Sequence, residues 1–375
     1  MLDRFHDELL ARLPGNYNLR ALAMTCARSE NGCPVQAGPA SGIWTPESPC
    51  SVGMSLAPTE IAGKWVDAFV RAAIRGPFDY PACHHFAGTG EHDHHLVLSF
   101  VVHGNEFGTL PAALALQQEL SAEPPAGPVT LLLGNVEAVR RGERFLDEDY
   151  NRVFTFDRPA DNRERLRAEQ VRPILDSARL LVDFHQTQTP TEAPFWTFPF
   201  RPELAHWARI IGGAERVLTR APGTAFSAGL KCLDEYVRDQ GQTGMTLEVG
   251  FRGEDPVQAG RTLEAARRTL SVVSELARGK TTLEDLSAQA PALSFFQTEH
   301  IVMSTPTGSR LRPGLSNWVE LRAGEALHAE DSEEILCPFD GVALFPKYPT
   351  PGQEPPPELL RIARPVAKPF ETFGS

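Results

Sequence analysis

Polar residues that could bind a metal follow two apolar runs of the chain. The run Leu96 to Val102 is followed by His103 and, three residues later, by Glu106. A second apolar run, in the stretch LLVDFHQT, ends at His185. Two imidazoles and one carboxylate form the ligand set of a catalytic zinc ion, which keeps a fourth position for water. A His-x-x-Glu pair alone is common by chance, so the prediction of a metal site depends on all three residues together.

Other polar and charged residues could take part in catalysis together with these three. Asp183 precedes His185 by two residues and shares its strand face, where it could orient the imidazole. The segment 140–152 contains four arginines, whose guanidinium groups suit carboxylates and oxyanions. Glu248 lies inside an apolar strand, where burial would raise its pKa as a general base requires. The alternatives are a solvated basic helix face for the arginines and a structural ion pair for Glu248.

The elements that carry these residues alternate between strand and helix. Strands are predicted at 96–102, 129–133, 180–185 and 245–249, and helices at 58–75, 109–119 and 256–278. Such alternation is typical of an α/β fold with a mixed, mostly parallel sheet and helices on both faces. Ligands bind such sheets at the carboxyl ends of the strands, where His103, His185 and Glu248 are found.

The composition and pattern of the sequence predict that the chain divides into three regions. Residues 1–60 are an N-terminal extension of unclear role, with a short helix predicted at 3–13. Residues 61–280 are the catalytic domain. Short alternating segments separated by Gly and Pro predict a small all-β domain at 290–375.

Charge and hydropathy exclude two classes of partner. The net charge of −12 argues against a nucleic-acid binder, which would need a basic face. No apolar run approaches the roughly 20 residues of a membrane span, and the N-terminus has no apolar core typical of a signal peptide. We expect a cytoplasmic enzyme with a small-molecule substrate, and a homo-oligomer is one of the assembly states that the sequence leaves open.

A second histidine-rich segment competes for the metal. The stretch HHFAGTGEHDHH, residues 84–95, contains five imidazoles that could bind a metal adventitiously. Its Gly-containing centre indicates a turn, so we interpret the segment as a surface hairpin.

The order of motifs resembles one family. HGNE, then RFLDEDYNR, then DFH, then LEVG resembles the succinylglutamate desuccinylases and aspartoacylases, zinc-dependent relatives of the carboxypeptidases, over roughly residues 95–275. The resemblance implies that His103, Glu106 and His185 bind one zinc ion per chain. It also implies that Glu248 is the general base, which takes a proton from the attacking water and passes it to the leaving amine.

The resemblance further implies roles for four residues in substrate recognition. Arg144 would polarise the scissile carbonyl and hold the oxyanion, whereas Asn151 and Arg152 would bind a substrate carboxylate. Arg238 matches the family's other carboxylate-binding arginine by its spacing from Glu248. The implied function is hydrolysis of the amide bond of an N-acyl amino acid. The alternatives are a carboxypeptidase-type peptidase acting on short peptides and a non-catalytic metal-binding protein of the same fold.

Two features of the sequence leave the identity of the substrate's acyl group and amino acid undetermined. The aromatic residues Phe195, Trp196 and Phe198 could form a wall that favours a bulky acyl group, or they could be core residues of a strand. Tyr348, in a Pro-rich loop, could reach the substrate or serve only as a surface anchor.

Overall fold

The computed structural model describes residues 57–72, 76–221, 223–227, 229–305, 308–349, 356–367 and 369. The predicted helix at 3–13 and the rest of the extension up to residue 56 lie outside the described residues.

The described strands form one sheet of 11 strands. They are β1 (Cys83–Phe86), β2 (Leu96–Phe100), β3 (Val129–Leu133), β4 (Leu180–Thr187), β5 (Phe195–Pro199), β6 (Arg216–Arg220), β7 (Thr243–Phe251), β8 (Ser294–Met303), β9 (Glu320–Leu321), β10 (Gly341–Leu344) and β11 (Glu358–Val366). Their order is β1-β3-β2-β4-β7-β5-β6-β8-β11-β10-β9. Strands β3, β2, β4 and β7 pair in parallel, whereas β1 and β5 join antiparallel to them. The mixed sheet with a parallel centre confirms the expected fold class.

The helices pack against this sheet and against each other. They are α1 (Pro58–Arg71), α2 (Leu110–Ala122), α3 (Val136–Arg141), α4 (Arg163–Ser177), α5 (Pro202–Ile211), α6 (Leu233–Asp239), α7 (Pro256–Ala277) and α8 (Leu283–Gln289). Helix α2 packs on α7, and α4 packs on α6. Asp255 caps α7 by accepting from the backbone of Val257 and Gln258, and Pro256 occupies the first turn, as the sequence predicts. No described helix has the length and apolar character that would let it cross a membrane.

The C-terminal strands continue the same sheet. Strand β8 runs parallel to β6, and β11, β10 and β9 follow it in antiparallel order. This region contains its own cluster of buried apolar side chains, among them Leu311, Leu321, Leu327 and Leu360. The expected C-terminal β region is therefore present; its status as a separate domain from residue 290 stays a prediction.

The burial of side chains decides between the alternatives for the aromatic residues of β5 and for the histidine segment 84–95. Phe195, Trp196 and Phe198 have no exposed surface, and Trp196 donates a hydrogen bond to the Gly212 carbonyl. These residues are core aromatics of β5, so the proposed substrate wall is wrong. The surface-hairpin interpretation is wrong for His84 and His95, which are both buried. His84 lies on β1, which pairs with β3, and His95 lies directly before β2 and contacts Thr130 of β3.

Candidate metal centre and catalytic site

Neighbouring parallel strands bring the predicted ligands to one edge of the sheet. Strand β2 lies beside β4, and β4 lies beside β7 in a register that pairs His185 with Glu248. His103 and Glu106 lie on the turn that follows β2, so the carboxyl ends of three strands converge there. This is the position that parallel sheets use for ligands.

The turn after β2 depends on a glycine. A Cβ atom at Gly104 would overlap the backbone of Ala138 and Val139 in α3. The Gly104 amide donates to the Arg144 carbonyl over 3.0 Å. The absence of a side chain at Gly104 lets the turn lie directly against α3 and the segment that follows it. This contact holds the two predicted ligands of the turn in place.

His103, Glu106 and His185 form a buried triad. Each is at most 3% exposed. His103 Nδ1 lies 2.9 Å from Glu106 Oε1, and His185 Nδ1 lies 3.0 Å from Glu106 Oε2. One ligand atom from each residue lies within 4.8 Å of the others, and this is the one group of at least three such ligands found among the described residues. The histidine segment 84–95 forms no comparable group there.

The outward nitrogens of both imidazoles contact carboxylates. Asp183 Oδ2 lies 2.7 Å from His185 Nε2, which confirms the predicted contact. Asp149 Oδ1 lies 3.0 Å from His103 Nε2. Burial raises the pKa of Asp149, but the charges of His103 and Arg144 lower it well below its usual range. Asp149 therefore stays ionised. Because each Nε2 contacts a carboxylate, both imidazole rings present Nδ1 to the centre of the triad.

The carboxylate of Glu106 accepts further hydrogen bonds at the triad. Arg144 Nη1 and Gln188 Nε2 lie 2.7 and 2.9 Å from its Oε1, and the Gln186 amide lies 3.2 Å from its Oε2. Gln188 in turn exchanges two hydrogen bonds with Asn105, next to Glu106 in the chain. The predicted Arg144 thus lies directly beside the triad, and its guanidinium also lies 3.6 Å from Asp149.

Glu248 lies buried on β7 beside the triad. Its side chain is 7% exposed, and its Oε2 makes no hydrogen bond within the described part of the chain. Burial is the main reason that its pKa rises to about 8; the His185 charge lowers this value and the Glu106 charge raises it. In the described ranges no arginine or lysine forms an ion pair with it, which disfavours the structural alternative.

The three residues predicted to recognise a carboxylate differ in their surroundings. Arg152 donates to the Asn151 carbonyl over 2.6 Å and to Cys232 Sγ over 3.1 Å, and it interacts electrostatically with Asp149. The Asn151 side chain accepts from the Leu233 amide over 3.0 Å.

Arg238 is only 4% exposed. It pairs with Asp234 and donates to the Gly244 carbonyl, so it joins α6 to β7.

Tyr348 serves an internal contact. Its hydroxyl accepts from the Leu315 amide over 2.9 Å and lies 3.0 Å from the carbonyl oxygens of Arg312 and Leu315. These contacts favour the anchoring role over a reach towards substrate.

Sequence reasoning missed Asp149 and Gln188, which both touch the triad. The signal for Asp149 was its place in DYNR, one residue before the turn at Tyr150–Arg152. Its side chain accepts a hydrogen bond from the Asn151 backbone amide of that turn. The signal for Gln188 was weaker, a polar residue directly after the end of β4.

The residues of the site lie within the part of the chain that matches a known protein family. Residues 93–276 match the family model described as "Succinylglutamate desuccinylase/Aspartoacylase catalytic domain". A succinylglutamate desuccinylase of Pseudomonas paraeruginosa is 29% identical over 277 residues, 68% of this chain and 80% of the relative. Another, from Serratia proteamaculans, is 28% identical over 281 residues, 66% of this chain and 81% of the relative.

Solved structures agree on the fold. The crystal structure of a succinylglutamate desuccinylase from Chromobacterium violaceum has a TM-score of 0.61 and 18% identity, covering 83% of this chain and 99% of that one. One from Vibrio parahaemolyticus has a TM-score of 0.59 and 13% identity, covering 74% and 84%.

Proposed function

The chain belongs to the succinylglutamate desuccinylase/aspartoacylase family, and from this premise we propose that it is a zinc-dependent amidohydrolase. The substrate is an N-acyl amino acid, and the products are a carboxylate and a free amino acid. The observation that carries this proposal is the buried triad of His103, Glu106 and His185 beside an unpaired Glu248. A cytoplasmic location stays a prediction.

The donor set of the triad fits a zinc ion. His103 Nδ1 faces Glu106 Oε1 at 2.9 Å without the geometry of a hydrogen bond, so two potential ligand atoms point at each other in a buried space. Such an arrangement is costly unless a cation lies between the groups. His103, Glu106 and His185 would hold the ion, with Asp149 and Asp183 fixing the two rings. When bound, zinc supplies Lewis acidity that favours deprotonation of water and polarises a carbonyl.

Glu248 is the proton carrier in this proposal. A carboxylate that ionises near neutral pH can accept a proton from the attacking water and donate it to the leaving amine. Its Oε2 makes no hydrogen bond within the described residues, which is consistent with that role.

Arg144 stabilises the developing oxyanion. Its guanidinium lies 2.7 Å from Glu106 and its side chain is 30% exposed, so it lies at the border between the triad and the open site. Removing such a donor costs roughly a hundredfold or more in turnover.

Arg152 binds a carboxylate of the substrate. It is the arginine of the DYNR turn, and the turn is fixed on one side by Asp149 and on the other by the Asn151 contact with Leu233. The contacts of Asn151 and Arg238 favour indirect roles, in which Asn151 positions Arg152 and Arg238 holds α6 against β7.

Amine release from acyl amino acids and from dipeptides tests the proposal. Wild type should release amine from one class of N-acyl amino acid faster than from any dipeptide, and Glu248→Gln should bind zinc normally and lose turnover. Faster cleavage of dipeptides would favour the peptidase alternative. If Glu248→Gln left every measured activity unchanged, the proton-transfer role would be wrong.

A further inference from the structure

A pair of buried glutamines lies behind the triad. Gln186 follows His185 on β4, and because successive strand residues point to opposite faces, its side chain lies on the other face of the sheet from the His185 imidazole. Gln186 is only 1% exposed. Gln258, in the first turn of α7, is also buried, and its Oε1 accepts from Gln186 Nε2 over 2.6 Å.

The surrounding backbone fixes the orientation of the Gln186 carboxamide. Its Oε1 accepts from the amides of Gly108 and Gly253 over 2.9 and 3.3 Å. Its Nε2 donates to the carbonyls of Gly253 and Phe251 over 2.9 and 3.1 Å. A carboxamide offers both an acceptor and donors at these positions, whereas the side chains of glutamate and methionine do not.

The contact with Gly108 links Gln186 to a predicted metal ligand. Gly108 lies in the turn Phe107–Thr109, which directly follows Glu106. The main-chain amide of Gln186 donates to Glu106 Oε2 over 3.2 Å, so one residue holds both the carboxylate of Glu106 and the backbone that follows it. A Cβ atom at Gly108 would overlap the Gly253 carbonyl and the Gln186 side chain. Because the packing is this close, the turn can shift only if Gln186 and the loop at Gly253 shift with it.

The strand that carries Glu248 is irregular next to this pair. Strands β4 and β7 pair His185 with Glu248 and then Thr187 with Phe251, so β7 contains one residue more than β4 over this interval. We call residues 249–251 the β7 bulge. Bulges next to active sites commonly redirect a side chain. Because the regular strand pairing is interrupted there, other contacts must hold the backbone.

The glutamine pair supplies such contacts to the β7 bulge. Gln258 Nε2 donates to the Phe251 carbonyl over 3.0 Å, and Gln186 Nε2 shares that acceptor. Gln258 Nε2 also lies 3.0 Å from Oδ2 of Asp255, the cap of α7. A Cβ atom at Gly250 would overlap the Gln258 carboxamide, so this side chain packs directly on the bulge. The pair thus connects the turn after β2, the β7 bulge and the start of α7.

We propose that Gln186 is a positioning residue, which together with Gln258 forms a buried clamp that holds Glu106 and Glu248 in their relative positions. This inference rests on the proposed function and adds a device behind the site that acts through the backbone. Without the clamp, the turn after β2 and the β7 bulge can move independently. Zinc affinity then falls because a ligand is less well fixed, and turnover falls because the base is less well placed.

Zinc affinity separates this role from a purely structural one. A residue that only stabilises the fold lowers the free energy of unfolding but leaves the zinc affinity of the folded protein unchanged. Zinc dissociation constants would be measured by chelator competition at a temperature where circular dichroism shows each metal-free protein to be folded. Gln186→Met, which removes every side-chain hydrogen bond of Gln186, should bind zinc about 10- to 100-fold more weakly than wild type. At saturating zinc its kcat should fall while KM changes little, because the clamp does not hold the groups that bind substrate.

A second variant tests the other half of the clamp. Gln258→Met should weaken zinc binding by roughly 2- to 10-fold, the range of one hydrogen bond. It leaves the contact of Gln186 with Gly108 in place, so it decides the question if Gln186→Met does not fold. The double variant should bind zinc about as well as Gln186→Met alone, because side chains that act as one unit give losses that do not add.

A matched control makes the same substitution elsewhere. Gln117→Met replaces a buried glutamine of α2 and should leave zinc affinity at the wild-type value. The clamp would be overturned if the folded variants at Gln186 and Gln258 bound zinc as tightly as wild type, if the control lost as much affinity, or if the losses in the double variant were additive. Failure of the proposed function looks different, because wild type itself would then bind no zinc or release no amine.

Discussion

The ionisation of Glu248 should be measurable in the stability of the metal-free protein. Burial raises the pKa of Glu248 from 4.5 to about 8. Between these two pH values the folded protein keeps a proton that the unfolded chain has released, so the free energy of unfolding falls as the pH rises. Each pH unit is worth about 1.4 kcal/mol, so the loss reaches about 4 to 5 kcal/mol by pH 8.

Replacement by glutamine isolates this contribution. Glutamine has the shape of glutamate but no ionisation, so the pH dependence of the groups that do not interact with Glu248 cancels in the difference between wild type and Glu248→Gln. Urea unfolding of the metal-free proteins should give similar stabilities at pH 5. At pH 8 the variant should be more stable by about 4 kcal/mol, because it no longer buries a group that must ionise.

The same experiment can contradict the reasoning. Glu60→Gln, at an exposed carboxylate of α1, controls for the simple loss of one negative charge and should show little change between the two pH values. If the Glu248→Gln difference were equally independent of pH, the carboxylate would ionise as it does in water. Its burial would then not prepare it to act as a base near neutral pH.

Other predictions concern the metal and the substrate. His185→Ala should lose zinc and activity together by elemental analysis and amine release; zinc retained in this variant would show that His185 is not a ligand. Asp149→Asn should weaken zinc binding by about 10- to 100-fold in a chelator competition, because the carboxylate orients His103, and unchanged affinity would refute that role. Arg152→Ala should mainly raise KM for substrates that carry a carboxylate, and a selective loss of kcat would instead place it at the reacting atoms.

Patterns of neighbouring residues in the sequence predicted individual strands and helix starts, because these depend mainly on local interactions. Strand β3 spans the predicted residues 129–133, and α7 begins after its predicted cap at Asp255. The triad followed from the same logic, since buried strands that end in His103 and His185 must meet at the carboxyl edge of a parallel sheet.

The rest depends on contacts between residues far apart in the chain. Asp149 reaches His103 across 46 positions, because the β2 turn packs against the segment after α3. The sequence predicts a polar turn that includes His84 and His95, but both are buried by long-range contacts with β3, through the pairing of β1 for His84 and through Thr130 for His95.

Zinc titration of the stripped protein tests the central claim most directly. The protein would be dialysed against a chelator and amine release from its best N-acyl amino acid followed as zinc is added back. The account predicts no hydrolysis without metal and full recovery at about one equivalent of zinc per chain, with His185→Ala inactive throughout. Hydrolysis that persists without metal, or that recovers equally in His185→Ala, would contradict a catalytic metal held by His103, Glu106 and His185.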